Sequence, residues 1–118
     1  MKSKTLLFIH GMYMTPKCWE NWRDHFQAEG YRCLAPGWPG RDLSVDTLRR
    51  KHPDPTLGAL RLKEVVDHFT DLRLTLDEMP ILIGHSMGGL VAQLILQKGI
   101  ASAAIAISSA PPMGVRCV

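Results

Sequence analysis

Four short runs of apolar residues, separated by stretches of helical spacing, restrict the fold of this 118-residue chain more than any other feature. The runs are Thr5–Ile9, residues 31–35, Ile81-Leu82-Ile83 and Ala103–Ile107. They are apolar throughout rather than alternating, the pattern of strands covered on both faces. Between the first two, Trp19, Trp22 and Phe26 fall at i, i+3 and i+7 in a helix predicted over 18–29, which Gly30 ends. Leu62, Val65, Val66 and Phe69 repeat the spacing i, i+3, i+4, i+7, with Arg61, Lys63, Glu64 and Asp67 on the other face. Leu90, Val91, Leu94 and Ile95 continue as a third helix, stopped at Gly99. The segment Pro36-Gly37-Trp38-Pro39-Gly40 is a loop, and residues 41–57, polar and broken by Pro53 and Pro55, extend it. The order β-α-β-(loop)-α-β-α-β predicts an α/β fold: a parallel sheet of about four strands flanked by about three helices, since parallel neighbours need a covering crossover.

A chain of this length suffices for one domain, here residues 1–118, with a real core. Its 46% hydrophobic and 21% charged residues are those of an ordinary globular protein. The net charge of +3 is mild and the cations are dispersed, which argues against a nucleic-acid or membrane-surface partner. Cys18, Cys33 and Cys117 contain no C-x-x-C pair, so three free thiols are expected, and with them a reducing compartment. The N-terminal apolar run Leu6-Leu7-Phe8-Ile9 is shorter than a signal-peptide core, and no stretch approaches a membrane span. The expected location is cytoplasmic. No metal-binding cluster and no cofactor motif occurs: Gly84 to Gly89 lacks the spacing for a dinucleotide, and there is no P-loop.

The chemistry-bearing motif is Gly84-His85-Ser86-Met87-Gly88, a G-x-S-x-G placed between an apolar strand and an amphipathic stretch. A serine on a sharp strand-to-helix turn needs a strained backbone to project its hydroxyl above the sheet. The residues two before and two after it must then be small, which Gly84 and Gly88 satisfy. The amide of Met87 falls in the first helical turn, where N–H groups are unpaired and the dipole favours negative charge. The plainer alternative makes Gly88-Gly89 a flexible turn and Ser86 an N-cap. His85 is a turn-supporting residue that lines the site or packs.

With His10-Gly11-Met12 ending the first strand, the chain resembles the α/β-hydrolase family. The loop Pro36-Gly37-Trp38-Pro39-Gly40-Arg41 is similar to that family's P-G-x-G loop. The resemblance runs from about Lys4 to about Pro112, a partial α/β-hydrolase core from the oxyanion strand to the strand after the nucleophile helix. It implies a serine hydrolase acting on small-molecule ester or related acyl substrates, with Ser86 as nucleophile and no cofactor. It further implies that the backbone N–H groups of Met12 and Met87 form the oxyanion hole, and that His10, beside Gly11, braces the turn rather than acting as base.

The family's triad runs Ser, then Asp or Glu, then His, yet no Asp, Glu or His follows Ser86. The chain is therefore expected to be a truncated portion, weakly active or inactive. Among upstream groups, His25, His52 and His68 occupy no position the family uses for its base, and Asp42 and Asp46 read as solvated loop acids. Trp38, Tyr13 and Met14 are candidates to line what pocket there is, or simply to pack. The last strand is expected to be an uncovered edge through which the chain could self-associate. Two other readings stay open: a non-enzymatic α/β binding module, and a cofactor-free haloperoxidase or lyase on the same fold.

Overall fold

The computed structural model describes residues 3–40, 44–50, 53, 55, 59–112 and 114. Strand β1 (Thr5–Ile9) leads through a 3-10 turn (Pro16–Trp19) into α1 (Glu20–Ala28) and then β2 (Arg32–Leu34). Helices α2 (Val45–Arg50) and α3 (Leu62–Leu74) precede β3 (Ile81–His85), followed by α4 (Met87–Gln97) and β4 (Ala103–Ile107). All four strands are parallel, in the order β2-β1-β3-β4. This is the α/β sheet that the alternation of runs predicts.

One face of the sheet, through Leu7, Ile9 and Leu82, packs against Val65, Val66 and Phe69 of α3 and Val91, Ala92 and Ile95 of α4. The other face, through Leu6, Phe8 and Ile83, packs against Trp19, whose ring centroid lies 5.0 Å from that of Phe8. Both helical stops act as glycine stops should: Gly30 (φ 92°) and Gly99 (φ 77°) are left-handed.

Four expectations need correction. The segment 41–57 is not loop throughout, because α2 occupies part of it. Ser44 accepts a hydrogen bond from the Thr47 N–H at 3.2 Å, Asp46 sits in the first turn and Arg49 and Arg50 in the last. Together they complement the helix dipole and offset the polar composition; Leu48 supplies a buried anchor. The helix predicted from residue 18 begins as a 3-10 turn, and Trp22 is 42% exposed because it lies on Trp19 rather than on the sheet. Leu62, at the start of α3, is likewise exposed. Finally, β4 is the edge strand expected, but it is not covered on both faces as the apolar run implied, since Ile105 is 51% exposed.

The start of β1 is tied to the loop before β3 by Glu78. Its carboxylate accepts from Thr5 Oγ1 at 2.6 Å and from the Lys4 N–H at 3.0 Å. These bonds hold the Glu78 carboxyl below its ordinary value. A carboxyl lowered on folding stabilises only while ionised. Its contribution is present above about pH 4.3, the ordinary glutamate value, and is lost as pH falls through the lower folded-state value. Glu78→Gln is expected to flatten the fall of Tm between about pH 5 and about pH 3. Thermal melts across that range check this; equal acid slopes for both proteins would exclude it.

Candidate active site

The sheet order fixes where a site can form. From β1 the chain goes outward to β2 on one side, whereas β3 lies on the other. The crevice outside the carboxyl ends of β1 and β3 is therefore the switch point at which open α/β sheets bind ligands. In the register, Ile9 lies opposite Gly84 and His85 opposite Ile107. His10-Gly11 thus emerges beside His85-Ser86.

Ser86 has φ 56° and ψ −120°, a conformation that favours glycine and costs about 1–3 kcal/mol for another residue. Its neighbours hold it there. The Ser86 N–H donates to the Ile107 carbonyl at 3.0 Å, and the Ser86 carbonyl accepts from Gly89 and Ala110, each at 3.0 Å. The hydroxyl makes no capping bond to α4, so Ser86 occupies the N-cap position without capping. The first N–H of that helix, on Met87, has no carbonyl within the helix to pair with.

The glycines around it follow from contact. A Cβ on Gly84 would lie 2.1 Å from the Gly88 carbonyl oxygen, and one on Gly88 would lie 2.2 Å from that of Ile9. Helix α4 thus starts directly over the end of β1. A Cβ on Gly11 would meet the His85 carbonyl oxygen and the Ser86 Cβ, both at 3.2 Å. The turn after β1 therefore abuts Ser86. Within that turn Met14 N–H donates to the Gly11 carbonyl at 3.2 Å, and Tyr13 is left-handed at φ 64°.

His10 is fully buried. Its Nδ1 lies 2.8 Å from the Gly11 carbonyl oxygen, and its Nε2 accepts from the Trp38 N–H at 3.1 Å. This pairing assigns the neutral tautomer with the proton on Nδ1. In return Trp38 Nε1 donates to the His10 carbonyl at 2.9 Å, and the two rings stack at 5.5 Å. Trp38 is buried against the core, while Tyr13 is 66% exposed. A cavity of about 60 Å³ lies between Met12, Met87, Trp38 and Val65. The structure thus gathers His10, Gly11, Met12, Gly84, His85, Ser86, Met87 and Gly88 at one place.

Among the described residues neither His25 nor His68 is held toward Ser86. His25 packs edge-on against Phe26. His68, in the middle of α3, bonds the Gly37 carbonyl at 2.9 Å. That tether was not foreseen, and neither was the pairing of Gln93 with Ser109 behind Gly89. Asp46 lies exposed on α2. His52, Asp42, Arg41 and Cys117 lie outside the described residues. Cys18 and Cys33 are free thiols, and burial raises the pKa of each. Among the described residues no group of three or more His, Cys, Asp or Glu could hold a metal ion, and no helix is long and apolar enough to cross a membrane.

Comparison with known structures agrees with the fold. An extracellular alpha/beta-hydrolase from a Paenibacillus species, described as a structural and functional homologue of tobacco salicylic acid binding protein 2, superposes with TM-score 0.71 at 20% identity. It covers 92% of this chain and 42% of its own. A methylesterase from Arabidopsis gives TM-score 0.71 at 21% identity, covering 92% and 44%. A monoacylglycerol lipase from Paleococcus ferrophilus gives TM-score 0.71 at 20% identity, covering 92% and 40%. The chain therefore spans less than half the length of each of these proteins. No curated protein matches the chain. Residues 6–117 match the profile of the alpha/beta hydrolase family, and the chain belongs to that family.

Proposed function

We propose that these residues form the nucleophile half of a serine hydrolase acting on small-molecule esters or related acyl compounds. The observation that carries the reading is the strained backbone of Ser86, held by hydrogen bonds at both its N–H and its carbonyl while its hydroxyl makes no capping bond. In the proposed reaction Ser86 Oγ attacks the acyl carbon, its proton passes to a base, and the carbonyl oxygen becomes an oxyanion. The N–H groups of Met12 and Met87 receive that charge, supported by the α4 dipole. Gly11 lets the turn approach, His10 braces it through Trp38, and His85 flanks the serine. The similarity to esterases and a lipase in fold supports the acyl class. The free thiols suit a cytoplasmic setting.

The reading assigns no acid and no base within the chain: nothing after Ser86 can serve, and both ring nitrogens of His10 are engaged. Hydrolases stripped of triad members keep roughly 10³–10⁴-fold catalysis over water, so trace esterase activity at most is expected. A fluorophosphonate probe tests this. Slow labelling at Ser86, abolished by Ser86→Ala, is the expected result. Rapid stoichiometric labelling would reveal a base within these residues. A folded protein that never labels would favour the non-enzymatic binding module.

A further inference from the structure

A second cavity, of about 390 Å³, runs along the outer edge of β2, remote from Ser86. Its walls come from Leu7 of β1, Arg23 of α1, Arg32, Cys33 and Leu34 of β2, and Leu72 of α3, with Thr75 and Leu76 just beyond that helix. The volume lies in the range of about 300–1,000 Å³ that takes small ligands. Among the described residues both charged groups on its wall are arginines and no carboxylate lines it, although the charge of Arg32 also reaches the Glu78 carboxylate. The Arg23 Nε is buried and has no hydrogen-bond partner among the described residues. A buried, unpaired guanidinium nitrogen is costly, and an anion would satisfy it. The charge of Arg23 already acts here, since it opposes the effect of burial on the Cys33 thiol.

We propose that this cavity binds a small amphipathic monocarboxylate. The carboxylate would pair with the guanidinium groups of Arg23 and Arg32, the donors whose fork geometry matches it. The apolar body would lie along Leu34, Leu72 and Leu76. A free phosphate is disfavoured because it has no apolar body to cover these leucines. The site is independent of the hydrolase reading, because neither arginine belongs to the group around Ser86.

Octanoate is the probe, titrated into the 118-residue protein while backbone amide NMR shifts and Tm are followed. Saturable shifts are expected at residues 32–36 and 72–76, with a rise in Tm. Inorganic phosphate and 1-octanol should each bind at least about tenfold more weakly, since each lacks one half of the recognition. Arg32→Gln, on an exposed side chain, is expected to fold and to weaken octanoate about tenfold; Arg23→Gln should do the same. Ser86→Ala should leave the titration unchanged, which separates this site from product binding at the serine. Absence of saturable shifts, shifts confined to Met12, Trp38 and Met87, phosphate binding as tightly as octanoate, or unchanged affinity in Arg32→Gln would each overturn the proposal.

Discussion

Gly88→Ala is expected to unfold the protein or to lower its stability by about 4 kcal/mol or more, a large share of the total for a domain of this size. The reason is the identity of the atoms that the new methyl group meets. Its Cβ would fall 2.2 Å from the Ile9 carbonyl oxygen and 2.6 Å from that of His10. Both belong to the backbone at the end of the central strand, so no side-chain rotation can make room. Either α4 lifts from the sheet, uncovering Leu90, Val91 and Ala92, or β1 loses its register with β3. Gly30→Ala is the control: a Cβ there meets nothing within 4 Å, and only the left-handed φ resists it, at about 1–2 kcal/mol. Urea midpoints of the two variants decide the matter. A Gly88→Ala protein within 1 kcal/mol of the parent, on the scale of ordinary surface changes, would show that α4 does not sit so close to β1.

His10→Ala comes second, with an expected loss of about 3 kcal/mol. The imidazole is fully buried and serves two groups at once, accepting from the Trp38 N–H and donating to the Gly11 carbonyl. Truncation strands the Trp38 N–H in a buried site, at about 1–3 kcal/mol, and leaves the buried Gly11 carbonyl with the Met14 N–H alone. The void left by the ring adds to this. Denaturant unfolding measures the loss. Fluorophosphonate labelling adds a second reading, since a turn released from Trp38 should no longer hold Gly11 against Ser86, and labelling should slow. A loss below 1 kcal/mol, less than a single stranded group implies, would mean that the ring is dispensable to the turn.

The turn around Ser86 was legible in the sequence because its constraint is local. Two glycines at fixed spacing, after a β-branched apolar run and before an apolar-periodic stretch, admit few backbones. The sheet was legible for a similar reason: Leu6 to Ile9 and Ile81 to Ile83 tolerate no polar face. What escaped depends on contacts between distant segments. Nothing near His68 in the chain announces that it will meet Gly37, and Trp38 pairs with His10 across 28 positions. Helix α2 is a different case, since its signal was present. Ser44 with Thr47 three residues on, then Arg49 and Arg50, is an ordinary helix start and finish, outweighed by the prolines that follow. The exposure of Ile105 was invisible in its composition, because an edge strand can be as apolar as a central one.

The hydrogen bonds that hold Ser86 in its strained state reach toward β4 and the residues just after it, through Ile107 and Ala110. That strand is the outermost of the four on its side, half bare to water, so it belongs to the part of the sheet that opens most readily. Each time β4 frays, the restraint on Ser86 loosens, and the serine can relax toward an unstrained conformation. The durability of the serine's pose is therefore set by the most weakly protected strand of the sheet rather than by its core.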